Sequence, residues 1–190
     1  MADYRNVAAA QAYRGIRDNN PGNLESGIGW LGVVGADTTN LQPGQPGFAI
    51  FSDSVYGLRA LATDLMTKMT VDGLTTITAI ISVYAPPSSN DTAAYISSVA
   101  GDTGLDPNAT ISLDTSTLAS LVRAIVNYEE GDGPSQQFVS DADIAQGISM
   151  MSLTNLNALA SGSPPPSPDP AGTALLLLIG VVAVSTFLNR

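Results

Sequence analysis

The sequence predicts a mainly α-helical domain that carries a long loop with a short strand and is followed by a C-terminal transmembrane helix. Three observations lead there. Apolar residues recur at three- and four-residue spacing in several separate segments, residues 25–51 lose that period among Gly, Asp, Thr and Pro, and 171–188 is an uncharged, mostly apolar run. The chain divides accordingly into a globular domain at 1–152, a Pro/Ser-rich linker at 153–170 and a membrane anchor at 171–188.

Residues 1–13 lack the basic start, long apolar stretch and cleavage site of a secretory signal and read as a short surface helix. The run Arg14–Leu24, RGIRDNNPGNL, is rich in turn formers: Pro21 fixes one φ, Gly22 accepts a positive φ, and Asn19, Asn20 and Asn23 hydrogen-bond nearby backbone. Its composition places it outside the core. In 25–51 the expected anchors are Trp30, Leu31, Phe48 and Phe51, with a short strand over Phe48–Phe51.

Ser54–Thr70 is the clearest helix, because Val55, Leu58, Leu61, Ala62, Leu65, Met66 and Met69 share one face behind a cap at Ser52, Asp53 or Ser54. A second helix spans Thr75–Tyr84 and stops before Pro86 and Pro87, whose rings lack the N–H and crowd the preceding turn. A third runs from Asn90 or Asp91 to Ala100 and closes at Gly101 and Gly104. Asp114 caps a fourth, with Leu118, Leu121, Val122 and Ile125 as its stripe. That stripe extends to Glu129, whereas Glu130 falls on the face of Arg123 and Asn127. Gly131 to Pro134 break the chain, and a last helix covers Asp141–Ser152. After the linker, 18 residues at 171–188 span about 27 Å as a helix, close to the roughly 30 Å hydrocarbon thickness of a bilayer.

Composition narrows the chemistry. A net charge of −10, with seven Lys and Arg scattered along the chain, leaves no basic patch to neutralise phosphates, so no direct nucleic-acid binding is expected. Without Cys or His there is no thiolate zinc site, no serine triad and no imidazole acid–base pair; no metal site and no cofactor are expected. Carboxylates and hydroxyls remain. The glutamates are Glu25, Glu129 and Glu130. Glu129, at the end of an apolar face, is placed for a desolvated carboxyl that stays protonated near neutrality, as a general acid requires; a solvated helix end is the alternative.

Five separated motifs, RGIRDNNPGNL, GFAIF at Gly47–Phe51, YGLRAL at Tyr56–Leu61, YAPPSSNDTAAYI at Tyr84–Ile96 and AIVNYEEG at Ala124–Gly131, together resemble a family of bacteriophage and prophage virion structural proteins with a lysozyme-like, or lytic-transglycosylase-like, domain. The resemblance covers about Tyr13 to Ser149. It implies a lysozyme-like fold and contact with peptidoglycan glycan strands. Glu129-Glu130-Gly131 is similar to the E-x-G that carries the catalytic glutamate, and Asn20 to Leu24 to the Asn-rich turn lining the groove, in an order reversed along the chain as in a circular permutation.

On this resemblance Glu129 is the catalytic acid, with Glu25, Glu130 or Asp18 as a possible second carboxylate and Asn20, Asn23, Tyr84 and Tyr95 as substrate-binding residues. A second carboxylate makes the protein a glycoside hydrolase, and its absence a single-glutamate lytic transglycosylase. The implied partners are peptidoglycan, other virion proteins and a lipid bilayer through 171–188, at a virion membrane or the host cell envelope. The rival readings are a non-catalytic membrane-anchored virion structural, glycan-binding or ejection protein, and a host-side lysis accessory protein.

Overall fold

A single long helix, α2 (Ser54–Thr70), runs through the centre of the domain and sets the position of everything else. The computed structural model describes residues 2–41 and 44–152, together with 156, 157 and 160. Asp53 caps α2 by accepting from the Val55 N–H at 3.0 Å, and Val55, Leu58, Leu61, Leu65 and Met66 are shut off from solvent. The order before it is a 3₁₀ turn (Ala8–Ala10), α1 (Arg14–Arg17), β1 (Val33–Asp37) and β2 (Phe48–Phe51). After it come α3 (Ile77–Tyr84), α4 (Thr92–Thr103), α5 (Thr115–Glu130), α6 (Asp132–Phe138) and α7 (Asp141–Ser149).

Side-chain caps start the helices where the sequence places Thr, Asp or Ser. Thr76 caps α3, Asp91 α4 and Asp114 α5, while Ser140 and Asp143 form a capping box at α7. The core joins α2 to the inner faces of α3, α4, α5 and α7, with Tyr95, Val99, Ile125 and Ile148 each 3% exposed or less. Gly147 brings α7 onto α2, since a Cβ there would stand 2.9 Å from the Arg59 backbone nitrogen.

Several expectations are corrected. The Arg14–Leu24 run is core after all: Ile16 is 1% exposed and Asn19 and Asn20 are fully enclosed. Its two fully enclosed asparagines survive burial because their side-chain atoms find partners, while Asp18 Oδ2 and Asn23 Oδ1 are buried with no partner among the described residues. Phe51 N–H donates to the Asp18 carbonyl, and the Asn19 and Asn20 side-chain amides donate to the Phe51 and Ala49 carbonyls at 3.0 and 2.9 Å. The turn thereby serves the edge of β2 that β1 leaves free, as a third strand would. The other edge pairs antiparallel with β1, with Ala36 opposite Ala49 and Asp37 opposite Phe48. Leu31 is exposed and anchors nothing.

The expected break at Gly131–Pro134 begins α6, because Gly131 turns the chain at φ 80° and Pro134 sits in the first helical turn, where no N–H is needed. α4 continues past Gly101 to Thr103 and stops at Gly104 in the left-handed region. The helix expected within residues 1–13 reduces to the 3₁₀ turn Ala8–Ala10, and the run expected as a turn opens instead with the four-residue α1.

The fold class also changes. In place of a lysozyme-like domain on a C-terminal transmembrane helix, the described residues form a mainly helical domain with one two-stranded sheet, and none of their helices is long and apolar enough to cross a membrane. The physical reason is visible in α2, the longest: it has 17 residues and carries Arg59, Asp64 and Lys68. The segment 171–188 lies outside the described residues, as does most of 153–170; Leu156 packs partly buried against the core.

Gly57 is where the polar turn meets α2, and a Cβ there would lie 2.1 Å from the Asn19 carbonyl oxygen. Backbone cannot yield as a flexible side chain does. We expect Gly57→Ala to destabilise the fold by about 2 kcal/mol in urea denaturation, since overpacking of about 1–3 kcal/mol exceeds the helix-propensity gain of about 1 kcal/mol.

Candidate active site

α5 ends with two adjacent carboxyls that the fold takes in opposite directions. Glu129 is half-buried on the wall of a cleft of about 700 Å³, shared with Asn23, Glu25, Trp30, Phe48 and Tyr84. Glu130, expected on the polar face of the helix, is the more enclosed of the two at 8% exposed, because α1 covers that face as well. Its carboxyl sits on Gly15 and accepts from the backbone N–H groups of Gly15 and Ile16.

Both oxygens of Glu129 are held by donors. The Tyr95 hydroxyl donates to Oε1 at 2.8 Å and the Asn23 amide nitrogen to Oε2 at 2.9 Å. The same Asn23 nitrogen lies 3.4 Å from Glu130 Oε1. Asn23 reaches this place through a left-handed backbone, φ 47°, which asparagine tolerates better than most side chains. Tyr84 donates to the Gly22 carbonyl, and its ring meets that of Tyr95 edge-on at 6.2 Å between centroids. Tyr95 in turn stacks on Tyr128 at 3.7 Å. Burial pushes both the Tyr84 and Tyr95 phenols up, so each stays protonated and each O–H donates.

Burial also raises Glu129, an effect that the Asn23 and Tyr95 hydrogen bonds oppose. Glu130 is pushed up to about 8, first by burial and then by the neighbouring Glu129 charge, against the two backbone donors. Asp18 rises to about 6 through burial, although Arg17 stands 3.2 Å away.

The expected site residues therefore separate. Glu129, Asn23, Tyr84 and Glu25 line the cleft, Glu25 as an exposed residue of its rim. Asn20 does not: fully enclosed, it spends its amide on Leu24 and Ala49 and its Oδ1 on the Leu24 N–H, so it holds the turn and stands off the cleft wall. Tyr95, 1% exposed, acts on Glu129 and not on anything in the cleft. Asp18 and Glu130 lie off the cleft wall. Two cations on that wall are additions: Arg14, whose guanidinium lies 4.8 Å over the Phe48 ring, and Lys68, paired with Asp64 at 2.7 Å and 5.7 Å over the Tyr84 ring. The i, i+4 spacing of Asp64 and Lys68 is visible in the sequence, but their place beside Tyr84 comes from the packing of α2 against α3. No cluster of carboxylates among the described residues has the arrangement of a metal site.

The raised Glu130 carboxyl gives a pH test of this geometry. Its folded value lies above the model-compound value of 4.5, so folding favours the protonated form; that contribution is complete below about 4.5 and is lost as pH rises through about 8. We expect the urea midpoint to fall between pH 5 and pH 9, and Glu130→Gln, which keeps an acceptor for the Gly15 and Ile16 N–H groups, to flatten that fall.

No protein-family model matches the chain. It is 35% identical over 128 residues to Protein P5 of Pseudoalteromonas phage PM2, an alignment that covers 65% of this chain and 75% of that protein. At that identity and coverage, the chain belongs to the family of bacteriophage proteins that includes PM2 Protein P5.

Proposed function

We propose that this chain is a virion-associated phage protein that cleaves the glycan strands of peptidoglycan, with Glu129 as the proton donor. One observation carries the reading: a carboxyl raised by burial stands on the wall of the cleft with both oxygens fixed by donors. Tyr95 and Asn23 offer it hydrogens and take none, so the carboxyl proton is free to serve a glycosidic oxygen in the cleft. As that proton transfers, the bond from the sugar C1 to the leaving oxygen breaks and an oxocarbenium-like centre develops on the ring. Glu129, now a carboxylate, accepts a proton from the sugar's own hydroxyl as that oxygen attacks C1, leaving an anhydro end. Glu25, exposed on the same cleft, is the residue that would make the reaction hydrolytic. Peptidoglycan and neighbouring virion proteins are the partners of this reading, and genome delivery through the envelope is its use.

A second reading, a non-catalytic virion component that packs on its neighbours, draws support from the exposed Ile28 on the cleft wall and the exposed Leu31, Val33 and Val34 that follow it in the chain.

Mass spectrometry of purified peptidoglycan incubated with the full chain separates these. Anhydro-terminated fragments from the native protein and none from Glu129→Gln are expected, and reducing ends instead would assign a hydrolase. A folded native protein that releases nothing would overturn the enzyme reading in favour of the packing one. Because the donor must be protonated, cleavage is expected to be full at acidic pH and to fall as pH rises through the raised titration of Glu129.

A further inference from the structure

Glu130 cannot touch a ligand in the cleft, yet the fold is shaped to receive it. A Cβ on Gly15 would stand 1.9 Å from Glu130 Oε1 and 2.7 Å from the Asn20 carbonyl oxygen, so only glycine leaves room for this carboxyl. The seat and the cleft share one piece of chain. Asn20 N–H donates to the Gly15 carbonyl at 2.7 Å, and Asn23 N–H to the Asn20 carbonyl at 2.8 Å, so the peptide that receives Glu130 also carries the turn that delivers Asn23. The Asn23 amide group then spans both carboxyls, at 2.9 Å from Glu129 and 3.4 Å from Glu130.

Resting on the reading of Glu129 as proton donor, we propose that Glu130 is a positioning residue for it: Glu130 clamps the Asn23-bearing turn to the end of α5 and keeps its own proton while Glu129 gives one up. Two carboxylates sharing a single amide group would repel each other in a half-dry pocket. With Glu130 neutral, donation by Glu129 creates one negative charge, which Asn23 and Tyr95 are already placed to meet. Among the described residues, the other titratable groups acting on the pair are Asp18 from the turn after α1, Tyr95 from α4 and Tyr84 from α3, with Asp64 and Lys68 of α2 against Tyr84. Lys68, bonded to Asp64 through both carboxylate oxygens, is the cation of that group.

The chain is suited to a direct measurement, because its glutamates are three: Glu25, Glu129 and Glu130. Carbon-13 NMR of the full chain with carboxyl-labelled glutamate, titrated in the native protein, Glu129→Gln and Glu130→Gln, follows each carboxyl without reference to activity. We expect Glu129 to lose its proton before Glu130. In Glu129→Gln, the Glu130 midpoint is expected to fall by about one pH unit, a tenfold change in proton affinity, as for a coupled pair. Glu130→Gln, neutral and still an acceptor, should leave the Glu129 midpoint in place and peptidoglycan cleavage at acidic pH within about threefold of native, whereas Glu130→Ala, which abandons the seat, should lose about 10- to 100-fold. Loss of the proton from Glu130 first, or a Glu130 midpoint that does not move in Glu129→Gln, overturns the proposal even if the protein cleaves glycan. Absence of cleavage by the native protein, with the coupled titration present, overturns the enzyme reading instead.

Discussion

The close approach of backbone to backbone at Gly57 is the constraint on which the site depends. With no Cβ in the way, the Asn19–Asn20 peptide lies directly on α2, and a polar turn becomes part of the core. From that contact the rest follows in order. The turn is held at a fixed height above α2, its side-chain amides complete the hydrogen bonding of β2, and Asn23 is delivered to the end of α5. Gly15 repeats the device on the other side of the turn, where the missing Cβ admits the Glu130 carboxyl.

Burying asparagines is costly unless every polar atom is paired, since an orphaned donor or acceptor costs about 1–3 kcal/mol. Asn19 and Asn20 meet that condition: the first donates to Asp3 and Phe51 and accepts from the Tyr4 N–H, the second donates to Leu24 and Ala49 and accepts from the Leu24 N–H. The N-terminal segment is thereby tied down as well, through Tyr4, whose hydroxyl reaches the Phe138 carbonyl at 2.5 Å. Asp37, buried at the end of β1, receives Arg17, and it lies well down the carboxylate range, at about 2, because Thr39 and Arg17 both bond its charged form against the effect of burial. One short polar segment thus links the N-terminus, the sheet, α2 and α5, which explains how residues so far apart in the chain share one cleft.

The two carboxyls at the end of α5 illustrate how environment divides chemically identical groups. Glu130 gains two backbone donors but loses nearly all of its solvent, and desolvation wins. Glu129 keeps a face on the cleft and two side-chain donors, so its rise is opposed more effectively. Adjacent residues on a helix point about 100° apart. Here that angle separates a buried carboxyl from one on the cleft wall.

The helical content was legible in the sequence because amphipathic spacing and capping residues are local. α2 has the expected bounds, Asp53, Asp91 and Asp114 cap helices at expected positions, and the apolar stripe of α5 is buried as its period implies. The candidate cleft was legible in part: Glu129, Asn23, Tyr84 and Glu25 meet there, drawn from segments up to 106 residues apart in the case of Asn23 and Glu129. What the sequence determined by itself was this set of residue types, with neither His nor Cys and three glutamates, and hence a chemistry confined to carboxyls and hydroxyls. Only the tertiary structure decided that Asn20 and Tyr95 are enclosed off the cleft wall, that Glu130 is buried on Gly15, and that a loop-like run forms part of the core. The physical reason is that burial of a polar group depends on whether distant backbone arrives to pair with it, and hydrophobic periodicity carries no record of those partners.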